Sequence, residues 1–355
     1  MSEKIFCLRP QYVSKFKCDG SKCGALCCQN DWSIYIDAET YKKYPAQITC
    51  HLKLDSSGDK YLMMTNEKNC CPMLDEDNLC RIQKTYGENF LSRVCAGYPR
   101  IITRFGNFLE LALSPTCPLA AELILLADEP LKFEVIEADE KILRIGANHI
   151  LQGVSDDFAP LIFDVQLTMI SILQKRRLSI DQKLIVLGFF LDRVDELICS
   201  GNLDDVTLKK LSAVYMSENS LARQLPFMLA CVRFNAAAHE KFMRKVTAEL
   251  YGEPIMLDGK ILPAEFVQPI ENFLVNEIVL DVLPWRIDAS IVRNFGIFLT
   301  IYKILERRII SSGGELLSVA SELSRKINHG DGIEKISALL DEDDMLRLME
   351  KFLRA

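Results

Sequence analysis

Four thiols within eleven residues, Cys18, Cys23, Cys27 and Cys28, constrain this chain more than any other stretch of it. Seven more cysteines precede residue 118, and only Cys199 and Cys231 follow it. Cysteines used as small buried hydrophobes scatter along a chain, whereas a cluster of this density signals bound metal or disulfides. Gly20 and Gly24 lie inside the stretch, where a missing Cβ lets the backbone turn tightly around a bound atom. Four of the later cysteines stand in short patterned contexts: Cys71-Pro-Met-Leu-Asp75, Leu79-Cys80-Arg-Ile82, Cys95-Ala-Gly-Tyr-Pro-Arg100 and Ser114-Pro-Thr-Cys117-Pro118.

The redox compartment decides between metal and disulfide. The amino terminus has no apolar signal segment, and the longest tight apolar runs, Leu184–Leu191 and Leu123–Ala127, are far shorter than the ~18 residues of a membrane span. The chain therefore reads as soluble and cytoplasmic, with no membrane partner. Dense cysteines in a reducing compartment bind metal or do chemistry, and an odd total of 13 closes no disulfide framework. A formal charge of −7 argues against nucleic acid as a partner. That charge is uneven, +2 over residues 1–117 and −9 over the rest, and the acidic half reads as a solvated surface.

The expected fold class is mainly α, with a small cysteine-rich α+β metal-binding domain over 1–118 and a large all-α domain over 119–355. With 355 residues and 49 % apolar side chains, two cores can be buried. In the first domain, Pro10 keeps the lead-in extended, and Asp37 caps a helix after a strand-like stretch from Trp32. Ser56-Ser-Gly58 turns a hairpin, Asp75 shapes a reversal that returns Cys80 towards Cys71, and Ile82–Val94 is a helix ending at Cys95. Arg104–Leu113 forms another hairpin. Beyond residue 119, helical periodicity predicts roughly eight to ten helices. Starts fall at Ser179, Ser217 and Asp341–Asp344, a stop at Gly201, and breaks at 251–263 (a sub-boundary) and at Ser311–Gly314.

The candidate metal ligands are Cys18, Cys23, Cys27, Cys28, Cys71, Cys80, Cys95 and Cys117. Zinc sites favour short Cys-x-x-Cys pairs, and none occurs; His51 is the only histidine in this region. Iron–sulfur clusters accept more varied spacing, yet neither the Cys-x3-Cys-x2-Cys signature nor the bacterial ferredoxin run is present. The residues leave zinc and iron–sulfur open. Adjacent side chains should diverge, so one member each of Cys27–Cys28 and Cys70–Cys71 would serve a given centre. Cys7, Cys50, Cys199 and Cys231 read as packed thiols, and His149, His239 and His329 as surface residues.

Six ordered motifs resemble the bacterial flagellin lysine-N-methylases: Cys18-x-Gly-x-x-Cys23-x3-Cys27-Cys28, Trp32-x-Ile34-x-x-Asp37, Cys71-Pro-x-Leu-Asp75, Leu79-Cys80, Cys95-x-x-Tyr98-Pro-Arg100 and Ser114-x-x-Cys117-Pro118. The double-cysteine element is also similar to small zinc- or iron-chelating proteins. The likeness covers about residues 11–120, and in the rest only length and helical character agree. It implies methyl transfer from S-adenosylmethionine to flagellin lysines, with an iron–sulfur cluster of the 4Fe-4S kind in the cysteine-rich part, and it favours Cys71 over Cys70. No Gly-x-Gly of a Rossmann-type cradle is expected among the 17 glycines, so the donor would be held differently. Arg100, whose fork suits a carboxylate, and Trp32 are the cofactor-binding candidates. Tyr98 and Arg100 are the catalytic candidates, with Tyr86 a further tyrosine able to accept a lysine proton. The rival readings are a helical interaction module stapled by zinc or a cluster, and a metal chelator.

Overall fold

Strand β1, Phe6–Pro10, buries Cys7 and Leu8 and stops at Pro10, which has no amide to continue a ladder. A single turn over Gln11–Lys15 then seats Tyr12 and Val13 in the interior. The computed structural model describes residues 4–29, 32–56, 58, 60–155, 157–232, 236–257, 259–285, 290–340 and 347. After α1, Gly20–Cys23, come β2, Tyr35–Ile36, α2, Ala38–Lys43, α3, Ala46–Thr49, and the hairpin β3, Leu52–Leu54, with β4, Tyr61–Met63. Asp37 caps α2 as expected, accepting from the Thr40 amide at 3.0 Å. Next are α4, Arg81–Tyr86, α5, Arg93–Gly97, β5, Arg100–Phe105, β6, Phe108–Leu113, and α6, Pro118–Leu125. The expected helix over 82–94 is broken: Gly87, at φ +83°, ends α4, and Cys95 lies inside α5.

β7, Phe133–Glu137, α7, Glu140–Ile145, and β8, His149–Ile150, follow. They correct the reading of everything beyond 119 as helical. The larger sheet runs β7-β1-β6-β5-β8, so it takes strands from both sides of residue 118. In it β1 pairs in parallel with β6 and antiparallel with β7, while β5 pairs antiparallel with β6 and in parallel with β8. The smaller sheet is β2-β4-β3.

The helical part comprises α8, Ala159–Leu173, α9, Ile180–Cys199, α10, Asp205–Met216, α11, Glu218–Cys231, α12, Ala236–Tyr251, α13, Val267–Leu280, α14, Ile291–Ser311, α15, Leu316–Asn328, and α16, Gly332–Leu339. Ser179 and Gln182 form a capping box at α9, Ser217 caps α11, and helices are interrupted at 252–263 and at 312–315. The expected start at Asp341–Asp344 lies outside the described residues. His239 is buried on α12, against the surface reading, while His149 and His329 are exposed. Among the described residues, no helix is long and apolar enough to cross a membrane.

Two apolar cores result. One runs from Cys7 through the larger sheet to Leu340; the other, of Ile36, Tyr44, Ile48, Met63, Cys71, Met73, Ile82, Leu91 and Ala96, belongs to the small sheet and its helices. Helix α13 is the centre of the first, with every residue from Ile270 to Leu280 buried. Two of its polar side chains are satisfied from other elements. Asn276 accepts from Tyr12 Oη and donates to the Leu113 carbonyl at 3.2 Å, and Glu271 pairs with buried Lys183 of α9.

Glu110, in the middle of β6, is 1 % exposed. Its Oε2 accepts from Gln166 Nε2 at 3.2 Å, and its Oε1 has no partner. Burial raises its carboxyl well above the ordinary range, and a proton on Oε1 converts an unsatisfied acceptor into a donor. Because the folded pKa exceeds the unfolded one, the associated stability is present at low pH and is lost as pH rises through the folded pKa. Glu110→Gln should therefore raise the thermal midpoint at pH 8, by roughly 1–3 kcal/mol of stability, with the gain vanishing near pH 4. Parallel melts at the two pH values check this; an equal shift at both would mean that ionisation plays no part.

Candidate functional site

Short turns rather than long elements place the thiols. Asp19 caps α1 by accepting from the Ser21 amide, and Gly24 and Ala25, at φ +61° and +52°, reverse the chain into the Leu26–Cys28 turn. Ala at positive φ is strained, whereas Gly24 is not. The reversal sets Cys27 Sγ and Cys28 Sγ 3.9 Å apart, so the two side chains do not diverge as adjacency suggested. The Cys71 amide donates to the Cys28 carbonyl at 2.8 Å, tying the second motif to the first. Asp75 accepts from the amides of Asp77 and Leu79 and closes the reversal, and Leu74 bridges to Cys80 at the start of α4. Ser92 caps α5 through the Cys95 amide, and Cys117 stands just before α6, whose first residue is Pro118.

The eight candidate thiols share one electrostatic environment. Cys18 is exposed as a residue, and desolvation of its sulfur pushes the thiol up to about 12, with Cys27, Cys117, Cys23 and Cys80 adding to the effect. Cys95 likewise rises to about 12 through burial, reinforced by Cys71, Cys80 and Cys27. Cys71 and Cys117 each rise to about 11, from burial first and then their thiol neighbours, with Cys27 among them in both cases. Cys28 is raised by its hydrogen bond to Cys27, and that same bond lowers Cys27. Cys27 thus lies within electrostatic reach of Cys18, Cys28, Cys71, Cys95 and Cys117. Cys7 is buried, as expected of a packed thiol, whereas Cys50 and Cys199 are exposed and Cys70 and Cys231 are half-buried, which corrects the packed reading of Cys50 and Cys199. Among the described residues, no three Cys, His, Asp or Glu side chains converge on one ion position.

Trp32 and Tyr98 meet edge-on, with ring centroids 5.4 Å apart. Tyr98 Oη bonds Thr116 Oγ1 at 3.1 Å, beside Ser114, and lies within electrostatic reach of Cys117 and Cys27. Burial raises the Tyr98 hydroxyl far above neutral pH, so it is a proton donor there and no acceptor for an ammonium. Arg100 stacks over Phe16 at 5.1 Å and donates to the Ala96 carbonyl at 3.5 Å, on the Cys18 side. Tyr86 stacks on Phe90 and accepts from Gln47, and packs on the same small core as Cys28, Cys80 and Cys95.

Two participants have no signal in the sequence. His329, at the end of α15, lies against Trp32 with centroids 4.3 Å apart, and its imidazole is held neutral by burial of that face and by the Arg325 charge. Arg325, one turn before it, also reaches Tyr98. One Gly-x-Gly does exist, Gly330-Asp331-Gly332, but it joins α15 to α16, where a Cβ at either glycine would strike the Lys326 carbonyl; it follows no strand. A separate cavity of about 560 Å³ lies between α12, the 256–261 segment and Arg307, and none of the expected site residues lines it.

A family model described as the FliB lysine N-methylase C-terminal domain matches residues 166–350. Among curated proteins, the flagellar biosynthetic protein FliU of Salmonella muenchen is 34 % identical over 134 residues, which is 35 % of this chain and 79 % of that protein. The lysine-N-methylases of Salmonella typhimurium and Salmonella choleraesuis are also 34 % identical over 134 residues, covering 33 % of each. The alignment therefore spans about a third of the length of those two relatives. No solved structure matches the chain. With just over half of its length matched by one family model, and most of one relative covered, the chain belongs to the FliB lysine N-methylase family.

Proposed function

We propose that this protein methylates lysine side chains of flagellin, using S-adenosylmethionine and an iron–sulfur cluster held by thiols of the Cys27 group. The observation that carries the reading is the mutual electrostatic reach of the motif cysteines, together with the membership of the chain in this family. When bound, S-adenosylmethionine supplies a methyl group activated on a sulfonium, and the cluster supplies stored electrons and an open iron. The thiols would hold the cluster, and the cationic iron offsets the burial that otherwise keeps them protonated. Trp32, Tyr98 and His329 flank them, with His329 at the solvent edge where a protein side chain can reach. A lysine ammonium, with a reference pKa of about 10.4, must lose its proton before its lone pair can attack. Entry among these rings desolvates the ammonium and favours the neutral amine.

Protein purified without oxygen should be brown and contain iron and acid-labile sulfide; a colourless preparation with stoichiometric zinc would overturn the cluster assignment. Incubated with flagellin, S-adenosylmethionine and a reductant, it should add methyl mass to surface lysines. Full activity from folded, cluster-free protein would reduce the cluster to a staple. Tight flagellin binding with no methylation under any reducing condition would favour a non-enzymatic role.

Removal of Cys23, Cys80 or Cys95 to Ala should abolish iron retention and loosen the small core, because ligand binding free energy stabilises such a region. Cys199→Ala and Cys231→Ala should change stability by no more than about 1–2 kcal/mol and leave iron content unchanged. Iron analysis and denaturant melts read both classes. Equal loss in the two would contradict the separation of ligand thiols from the rest.

A further inference from the structure

Helix α15 carries an apolar stripe and a polar one. Leu316, Val319, Ala320, Leu323 and Ile327 face the apolar core, while buried Ser321 and Ser324 and half-buried Arg325 form a polar stripe beside them. The polar stripe docks on the cysteine-bearing loop. Ser321 Oγ donates to the Pro115 carbonyl at 2.7 Å, two residues before Cys117. One helical turn on from Ser321, Arg325 lies on the same face. Its Nε is buried without a hydrogen-bond partner, and among the described residues its guanidinium forms no ion pair. A guanidinium with no ion pair of its own beside a candidate active site is suited to an anionic ligand, which its fork can bind through two nitrogens. Nearby are the Tyr98 and His329 groups that feel its charge and the Trp32 ring that touches both.

We propose that the junction of α15 with the Ser114–Cys117 loop binds the methyl donor, Arg325 pairing with its α-carboxylate and the Trp32 ring with its adenine. The inference rests on the methyl-donor reading above and adds to it the residues that recognise the donor. Arg100 is the less suitable fork, since its guanidinium already covers Phe16 and bonds the Ala96 carbonyl. The assignment also explains how a chain without a glycine-rich strand–turn–helix cradle can hold a nucleoside: an aromatic face and a charged fork replace it.

The test is calorimetric binding on the anaerobically purified full chain, with two probes. S-Adenosylhomocysteine has both adenine and carboxylate; 5′-methylthioadenosine has the adenine but no carboxylate. The unaltered chain should prefer S-adenosylhomocysteine by about 10-fold or more, the range of a charge-assisted hydrogen-bonded pair. Arg325→Gln should abolish that preference while leaving methylthioadenosine binding within about 3-fold, Arg325→Lys should retain part of it, and Trp32→Ala should weaken both probes. Should Arg325→Gln fail to fold, the Lys variant and the preference of the unaltered chain still decide. Equal weakening of both probes in Arg325→Gln, or loss of the preference in Arg100→Gln alone, overturns the assignment while the methyl-donor reading stands. Absence of binding of either probe by the unaltered chain overturns both.

Discussion

A helix buried on every side has to find partners for its polar groups inside the protein, and α13 imposes that demand on the rest of this structure. An orphaned buried group costs about 1–3 kcal/mol, so Asn276 and Glu271 could not sit where they do unsupported. Asn276 is served by Tyr12, from the turn after β1, and by the carbonyl of Leu113 at the end of β6. Glu271 is served by Lys183, from α9. The amino-terminal strand, the central hairpin and the helices are therefore locked to one helix. A cut between residues 118 and 119 would divide a single hydrogen-bonded core.

The same arrangement carries the chemistry. Strand β6 runs out of α13's embrace directly into Ser114–Cys117, and α15 reaches that loop through Ser321. Arg325 and His329 thus arrive beside thiols some 200 residues earlier in the chain, without any long-range motif announcing them. The thiols themselves are held differently, by caps and turns around a small core of their own. Such a region has little apolar burial to hold it, which is where a bound cation has most to contribute.

What the sequence makes legible is local. Asp37, Ser179 and Asp75 each act within four residues of themselves, and a cap or turn residue states its role through its neighbours. The gathering of the cysteines was legible for another reason: spacing that dense has few explanations. The strands β7 and β8 were not legible. β8 is two exposed residues whose pairing with Thr103 and Arg104 is set by tertiary context, and the alternation of Phe133–Glu137 is short enough to be lost among helical patterns. Gly87 marks the break between α4 and α5, although the residues on either side of it are helix formers. The burial of His239 and the contact of His329 with Trp32 depend on helix packing, which no local pattern encodes.

The adjacent pair Cys27–Cys28 shows how a strained turn becomes chemistry. Extended backbone would send successive side chains to opposite faces, and neither thiol would feel the other. The left-handed Gly24–Ala25 step and the tight turn after it instead bring the two sulfurs together. One hydrogen bond joins them, and either sulfur can donate it, so the bond stabilises a single thiolate in the pair and keeps the second proton in place. A thiolate is the form that binds a soft metal, so on the proposed reading this pair is where a cation would first find charge. Each bond to a cation would then lower the cost of ionising the neighbouring thiols, which burial alone holds protonated. The closeness of the two sulfurs makes this possible, and it follows from the strained step at Ala25.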